Sequence, residues 1–199
     1  MRNVLIAAVL LAVPGRAVAQ DLMALLAKGP VVLVENDAKG RFDRATAVVE
    51  IAAPPAKVWD VVSNFSNYRY FMPKVVKSEQ RLAGPAFPDQ VDVAFEIDVP
   101  LSNADYTFRY RLEPDQRRIE GKWLKGDLEG SFCEWRLVPH ENATLAYYTV
   151  ASRHFSALAQ RLEDDQQTIT IGVNVSAALA AVKAVKKRVE SLGATAAKP

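Results

Sequence analysis

The stretch that decides the fold lies at residues 45–76 and reads ATAVVEIAAPPAKVWDVVSNFSNYRYFMPKVV. Its first part, Ala45 to Ile51, alternates like a half-buried β-strand and is followed by the pair Pro54-Pro55. This pair predicts a helix start, because proline at the first helical position loses no hydrogen bond that the helix needs. The following residues supply an apolar helix face and then an aromatic cluster: Val58, Trp59, Val62, Phe65, Tyr68, Tyr70 and Phe71.

Alternating patterns on either side of this stretch predict an antiparallel sheet. Single strands are predicted at Val31 to Val34 and at Val75 to Leu82. Further along, apolar residues occupy every second position in five runs: 91–97, 106–112, 119–123, 133–137 and 146–150. Repeated alternation is typical of an antiparallel sheet with one solvated and one apolar face. The apolar face has to be covered, and the C-terminal segment is the candidate of adequate length.

The C-terminal segment is predicted to be a long amphipathic helix. Gln166 to Val182 contain no charged residue over 17 positions, although the strand-like alternation of Thr168 to Val175 leaves the start of the helix open up to Asn174. An apolar stripe then follows helical spacing: Ile171, Val175, Leu179, Val182, Val185, Val189 and Leu192. The segment is too polar for a membrane span. The cluster Lys183, Lys186, Lys187 and Arg188 is interpreted as a solvated helix end rather than a binding patch.

The order of these elements resembles that of the START-like, polyketide-cyclase and coenzyme-Q-binding families over about residues 45–192. The most specific pieces are PPAKVWDVVSNFSNYRYFMPKV and GDLEGSFCEWRLVP, the latter followed by TLAYY. The resemblance implies an α+β helix-grip fold, in which a curved antiparallel sheet wraps around a long C-terminal helix and encloses a cavity. It also implies that the domain holds a hydrophobic small molecule, without naming that molecule.

Candidate ligand contacts come from the apolar face, the aromatic cluster and the front of the last helix. The alternation places seven candidate residues on the apolar face of the sheet: Phe95, Tyr106, Phe108, Tyr110, Trp123, Trp135 and Tyr148. The resemblance adds a group at the cavity mouth: Phe65, Tyr68, Phe71 and Met72. The uncharged half of the helix adds Ile171, Val175, Leu179 and Val182. Ordinary core packing is the alternative for each ring, whereas a pocket would combine apolar walls with a few polar groups such as the phenols.

The sequence offers no catalytic, metal-binding or cofactor-binding constellation. It contains no Ser-His-Asp arrangement, phosphate loop or dinucleotide fingerprint, and its two histidines have no partner at metal-ligand spacing. The lone cysteine, Cys133, excludes an intramolecular disulfide and is interpreted as an inert core residue rather than a reactive thiol. We therefore expect no metal and no cofactor.

The N-terminus reads as a secretory signal at residues 1–19. A basic Arg2 precedes the uncharged run Val4 to Val13, and Ala17-Val18-Ala19 supplies the small residues of a cleavage site. An N-terminal anchor or a misassigned start codon is the alternative. Cleavage would remove two of the 25 basic residues and leave 23, against 23 acidic residues. This balance gives no reason to expect nucleic acid or an anionic membrane as a partner.

We accordingly predict an exported monomer, periplasmic or secreted, with a lead-in and extra strand at 20–44, one domain at 45–192 and a flexible tail at 193–199. Integral membrane insertion is not expected, although transient membrane contact is left open. The favoured function is a carrier of a hydrophobic molecule, with the segment Arg153 to Gln167 as its gate. The alternatives are a cyclase or dehydratase that uses Tyr106 or Tyr110, and a surface protein that binds a protein partner.

Overall fold

The structure, a computed structural model, describes residues 22–99, 102–152 and 166–196. The predicted signal segment and the predicted gate, apart from its last two residues, lie outside these residues. The described strands form one eight-stranded antiparallel sheet in the order β1-β2-β8-β7-β6-β5-β4-β3. Their bounds are β1 Val31–Asn36, β2 Phe42–Ile51, β3 Val75–Leu82, β4 Gln90–Val99, β5 Ser102–Glu113, β6 Arg118–Gly126, β7 Phe132–His140 and β8 Ala143–Ala151.

Helices cover the concave face of this curved sheet. Helix α1 (Pro55–Val62) is followed by a 3₁₀ helix (Phe65–Tyr70), and the long C-terminal helix α2 covers Gln166–Ala196. Proline occupies the start of α1, as the Pro54-Pro55 pair predicts. The curved sheet with its long C-terminal helix confirms the predicted α+β helix-grip fold.

The alternation in the sequence assigns the two faces of the sheet correctly. Apolar residues of neighbouring strands lie opposite one another, as in the pairs Phe95–Tyr106, Phe108–Trp123 and Trp135–Tyr148. The intervening residues carry the ion pairs of the outer face. Arg109, for example, donates two hydrogen bonds to Asp92 at 2.7 and 2.9 Å. The period-two pattern therefore predicts which side chains point inward.

Helix α2 begins at Gln166, so the strand-like alternation of Thr168 to Val175 lies within a helix. Its buried positions are Asn174, Ala178, Ala181, Val182, Val185 and Val189. Leu192, predicted to belong to the apolar stripe, is 45% exposed, so its assignment to the buried face is wrong. The helix also continues past residue 192, at which the sequence predicts the domain to end, and reaches Ala196.

A fully buried asparagine fixes α2 to the end of β8. The side-chain oxygen of Asn174 accepts a hydrogen bond from the Ser152 backbone N–H at 2.6 Å. Its amide group donates to the carbonyl oxygens of Ser152 and Thr170 at 3.2 and 2.9 Å. Burial of an amide is tolerated when its hydrogen bonds are satisfied, and these three bonds satisfy it.

Helix α2 packs chiefly against β2 and β8, with further contacts to α1 and β1. By length and composition α2 could also cross a membrane, because an 18-residue window within Gln167–Gly193 has a mean hydropathy of 1.6. Composition therefore does not exclude a membrane span, contrary to the prediction, and 28% of this window is buried in the fold.

The aromatic half of the concave face, on β4, β5 and β6, lies next to the 3₁₀ helix, whereas α1 contacts β7 and β8. The 3₁₀ helix packs against β3, and the Ser78 hydroxyl donates a hydrogen bond to the Phe65 carbonyl at 2.5 Å. Before α1, the buried Thr144 hydroxyl donates to the Ala53 carbonyl at 2.7 Å. These two bonds fix the aromatic segment 65–72 over the sheet.

Candidate ligand-binding site

The aromatic residues predicted from two distant parts of the sequence meet around Phe65. The Phe65 ring is fully buried and stacks on Tyr110 of β5, with 4.2 Å between ring centroids. Tyr68 bridges the 3₁₀ helix and the sheet, with its ring centroid 5.3 Å from Phe65 and 6.2 Å from Phe95. The network of ring contacts contains seven predicted residues: Phe65, Tyr68, Phe71, Phe95, Tyr106, Phe108 and Tyr110.

Cys133 connects this network to a second aromatic pair. Trp135 and Tyr148 lie side by side on β7 and β8, with 4.5 Å between ring centroids. The Cys133 thiol donates to the Tyr110 hydroxyl at 3.6 Å, and Tyr148 lies close enough to Cys133 to affect the pKa of the thiol. The prediction of a buried core cysteine is confirmed. Its bridging role between the two phenols is not evident from its place in the sequence.

Gly121 allows Tyr110 to lie directly on the sheet. A β-carbon at position 121 would come within 2.4 Å of Tyr110 Cε1 and 2.9 Å of Cys133 Sγ. Any side chain there would therefore displace both groups. The alternation pattern does not reveal this requirement, although a glycine in the interior of a strand often marks such a close approach.

Several members of the cluster are only partly buried. Phe71, Met72, Tyr106, Trp123 and Tyr148 pack against the core but are only half-buried. Burial nevertheless raises the pKa of the Tyr106 and Tyr148 phenols well above the usual value. These five side chains therefore keep surface that the described part of the protein does not cover.

The polar atoms in this region are mostly hydrogen-bond donors. The Tyr68 hydroxyl donates to the Val62 carbonyl at 2.7 Å, and the Trp123 indole donates to the carbonyls of Gly126 and Asp127 at 3.2 and 3.1 Å. Among the described residues every buried side-chain nitrogen and oxygen atom has a hydrogen-bond partner, and the Tyr106 hydroxyl makes no hydrogen bond to them, so this hydroxyl reaches solvent. Tyr106 is thus a donor that a ligand oxygen can satisfy.

Burial keeps every ionisable group of the cluster neutral. It raises the pKa of the Cys133 thiol to about 11, and it raises the pKa of Tyr68 and Tyr110 above their usual range. Among the described residues, no Asp, Glu, Lys or His is buried. At neutral pH the phenols and the thiol are therefore protonated, so they donate hydrogen bonds but do not act as bases.

The helix residues predicted to contact a ligand have different positions. Val182 is fully buried in the same core cluster, whereas Ile171, Val175 and Leu179 are half-buried and lie outside it. Ligand contact by these four, and by the aromatic residues, stays a prediction. Within the described ranges no group of three potential metal ligands occurs.

The raised pKa of Cys133 predicts a specific loss of stability in alkali. Below pH 9 the thiol is protonated in both states and its contribution to stability is complete. The thiol has a pKa of 9.0 in the unfolded chain and of about 11 in the folded protein. Above pH 9.0 the unfolded chain therefore loses its proton first, and the free energy of unfolding falls until the folded thiol also ionises. The difference of two pKa units corresponds to about 3 kcal/mol.

Urea unfolding of the protein and of Cys133→Ala below pH 9 and near pH 11 measures this contribution. The native chain should lose about 3 kcal/mol more free energy of unfolding over this range than the variant. The tyrosines titrate in both proteins, so the difference isolates the thiol. Equal losses in the two proteins would contradict the predicted burial effect.

The same arrangement of elements occurs in solved structures. A protein from Thermus thermophilus superposes with a TM-score of 0.66 at 13% identity, covering 75% of this chain and 99% of its own. The STAR-related lipid transfer protein from Xanthomonas axonopodis gives 0.61 at 17% identity, covering 82% and 94%. The Zhui aromatase/cyclase from Streptomyces sp. R1128 gives 0.60 at 21% identity, covering 74% and 93%. At these identities the similarity establishes the fold alone.

No curated protein matches this chain significantly. A family model described as polyketide cyclase/dehydrase and lipid transport matches residues 51–190. This match begins at the end of β2, contains α1 and the aromatic cluster, and ends in the last turns of α2. The chain therefore belongs to the polyketide cyclase/dehydrase and lipid transport family.

Proposed function

We propose that this protein is an exported carrier that binds a neutral, hydrophobic small molecule against the aromatic half of its sheet. The observation that carries the proposal is the half-buried Tyr106, whose hydroxyl faces no described protein partner within an otherwise apolar cluster. Apolar walls with a few hydrogen-bond donors suit a ring system that carries one or two acceptor oxygens. A charged ligand would be disfavoured there, since no described counter-ion is buried.

The family supports this proposal without settling the chemistry. One structural neighbour is called a lipid transfer protein and another an aromatase/cyclase, so both a carrier and an enzyme are compatible with the fold. The protonated state of the phenols favours the carrier, because general base catalysis needs a group that can accept a proton.

Tyr106 and Tyr148 should contribute to the recognition of a carbonyl oxygen. Menadione, a neutral bicyclic quinone, serves as the probe, and methylnaphthalene serves as its oxygen-free analogue. Tyr106→Phe combined with Tyr148→Phe should weaken menadione binding roughly tenfold, because a neutral hydrogen bond contributes about 1 kcal/mol. Binding of methylnaphthalene should change little. Quenching of tryptophan fluorescence measures both affinities.

Tyr147→Phe provides the matched control. Tyr147 neighbours Tyr148 on β8 but packs with Leu26 and Val48 on the other side of the sheet, so its hydroxyl lies away from the aromatic cluster. The proposal fails if neither probe binds, or if Tyr147→Phe weakens menadione binding as much as the double variant does.

A cyclase or dehydratase remains the second candidate, because the Tyr110 and Tyr148 phenols converge on Cys133 in the interior. Donors so arranged can polarise a substrate carbonyl and stabilise the charge that develops on its oxygen. Proton removal would then have to come from a group outside the described cluster or from water. Menadione released chemically unchanged is compatible with a carrier, whereas steady turnover of a polyketone substrate would favour the enzyme.

Export forms part of the proposal and rests on residues 1–19 alone. Arg2, the uncharged run after it and the Ala17-Val18-Ala19 site together meet the requirements of a cleaved signal. Expression of the full chain in a bacterium should give mature protein in the periplasm or medium that starts at Gln20, as determined by N-terminal sequencing. Uncleaved protein retained in the cytoplasm would contradict export.

A further inference from the structure

A recess lies outside the aromatic cluster, between α1, the 3₁₀ helix and the last turns of α2. It has a volume of about 330 Å³. Its floor is apolar, since Val61 and Val189 are buried and Phe71 is half-buried. Leu192 and Gly193 also line it, together with five polar side chains: Lys57, Asp60, Asn64, Asn67 and Arg188.

The charges of this recess are not neutralised by partners within it. Among the described residues, neither Lys57 nor Arg188 has a carboxylate within salt-bridge distance. Lys186, on the neighbouring turn, differs: its ammonium group lies 2.8 Å from Glu190 and 2.7 Å from the Glu50 carbonyl. With two cations against the single carboxylate of Asp60, the recess has a net charge of one positive unit.

Phe71 connects this recess to the aromatic interior. It lines the recess and also packs against Tyr68, with 5.4 Å between ring centroids and a nearly perpendicular orientation. Phe71 is therefore shared by the recess and the aromatic cluster. The recess thus combines an apolar floor with excess positive charge and two side-chain amides.

We propose that this recess binds a single-chain amphiphile with a carboxylate head. Lys57 and Arg188 neutralise the head, the amides of Asn64 and Asn67 donate hydrogen bonds to it, and Val61, Val189 and Phe71 hold the start of its hydrocarbon chain. The carboxylate of Asp60 disfavours a head with two negative charges. The inference rests on the proposed function only in that Phe71 is shared by the recess and the aromatic cluster.

Dodecanoate and dodecanol test the proposal, because they share a chain length and differ in the charge of the head. The native protein should bind dodecanoate more tightly, as measured by calorimetry. Lys57→Gln combined with Arg188→Gln should weaken dodecanoate binding roughly tenfold, since two partly exposed ion pairs are lost, and should leave dodecanol binding unchanged. In amide NMR spectra the Asn64 and Asn67 side chains should shift with dodecanoate, but not with inorganic phosphate alone.

Lys183→Gln combined with Lys187→Gln is the matched control, because it removes two charges from the same helix at exposed positions that line a different groove. This control should bind dodecanoate within about twofold of the native protein. Equal affinity for dodecanoate and dodecanol, or an equal loss in the two double variants, would overturn the proposal.

Menadione separates this proposal from the carrier function. If the recess proposal is correct, the Lys57→Gln, Arg188→Gln variant binds menadione like the native protein while its affinity for dodecanoate falls. If menadione binds to the native protein but dodecanoate and dodecanol bind alike, the recess proposal is wrong and the carrier function stands. If dodecanoate binds with the predicted dependence on Lys57 and Arg188 but menadione does not bind, the carrier function is wrong and the recess remains.

Discussion

The structure depends on the requirement that the apolar face of one large antiparallel sheet be covered. Helix α2 covers the half formed by β2 and β8, where small side chains allow the helix to approach closely: Ala45, Ala47 and Ala146 on the strands and Ala178 and Ala181 on the helix. On β4, β5 and β6 the corresponding positions carry large rings, and the cover there comes from the 3₁₀ helix. Small residues thus form the half of the interior under α2, and large aromatic residues form the half under the 3₁₀ helix.

This division has an electrostatic consequence. Enclosure by apolar side chains raises the pKa of the interior phenols and of the Cys133 thiol, so the aromatic half contains neutral donors. The recess at the end of α2 has the opposite character, because Lys57 and Arg188 give it an excess of positive charge. A polar head group would suit this recess, and Phe71 in its lining also contacts the aromatic cluster through Tyr68.

The sequence predicts the parts of this architecture that follow from periodicity. Alternation assigns Phe95, Phe108 and Trp135 to one face, because a side-chain period of two leaves no other choice once one face is apolar. Helical periodicity is less reliable for α2. The pattern selects Leu192, which is exposed, and passes over Asn174, which is buried because Ser152 and Thr170 satisfy its amide. When the hydrogen-bond partners of a polar residue lie in another part of the chain, the residues next to it in the sequence do not show that it is buried.

Contacts between distant segments are likewise beyond sequence reasoning. The pattern identifies Tyr110, Gly121 and Cys133 as residues of the apolar face but does not reveal that the glycine makes room for the ring, or that the thiol bonds to it. The recess at Lys57 and Arg188 joins residues of α1 and α2 that are far apart in the sequence. From the sequence, the basic cluster 183–188 is predicted to be a solvated helix end. In the fold Arg188 lines the recess beside α1, whereas the three lysines of the cluster line a different groove.

The central claim is that ligand binds at the aromatic half of the interior. Fluorine NMR of protein labelled with fluorotyrosine tests this most directly, because the six tyrosines of the chain report on different surfaces. Saturation with menadione should shift the signals of Tyr106 and Tyr148, whereas those of the exposed Tyr70 and of Tyr147 should stay in place. Shifts confined to Tyr70 and Tyr147, with Tyr106 and Tyr148 unchanged, would mean that the probe binds at the surface and would contradict the account.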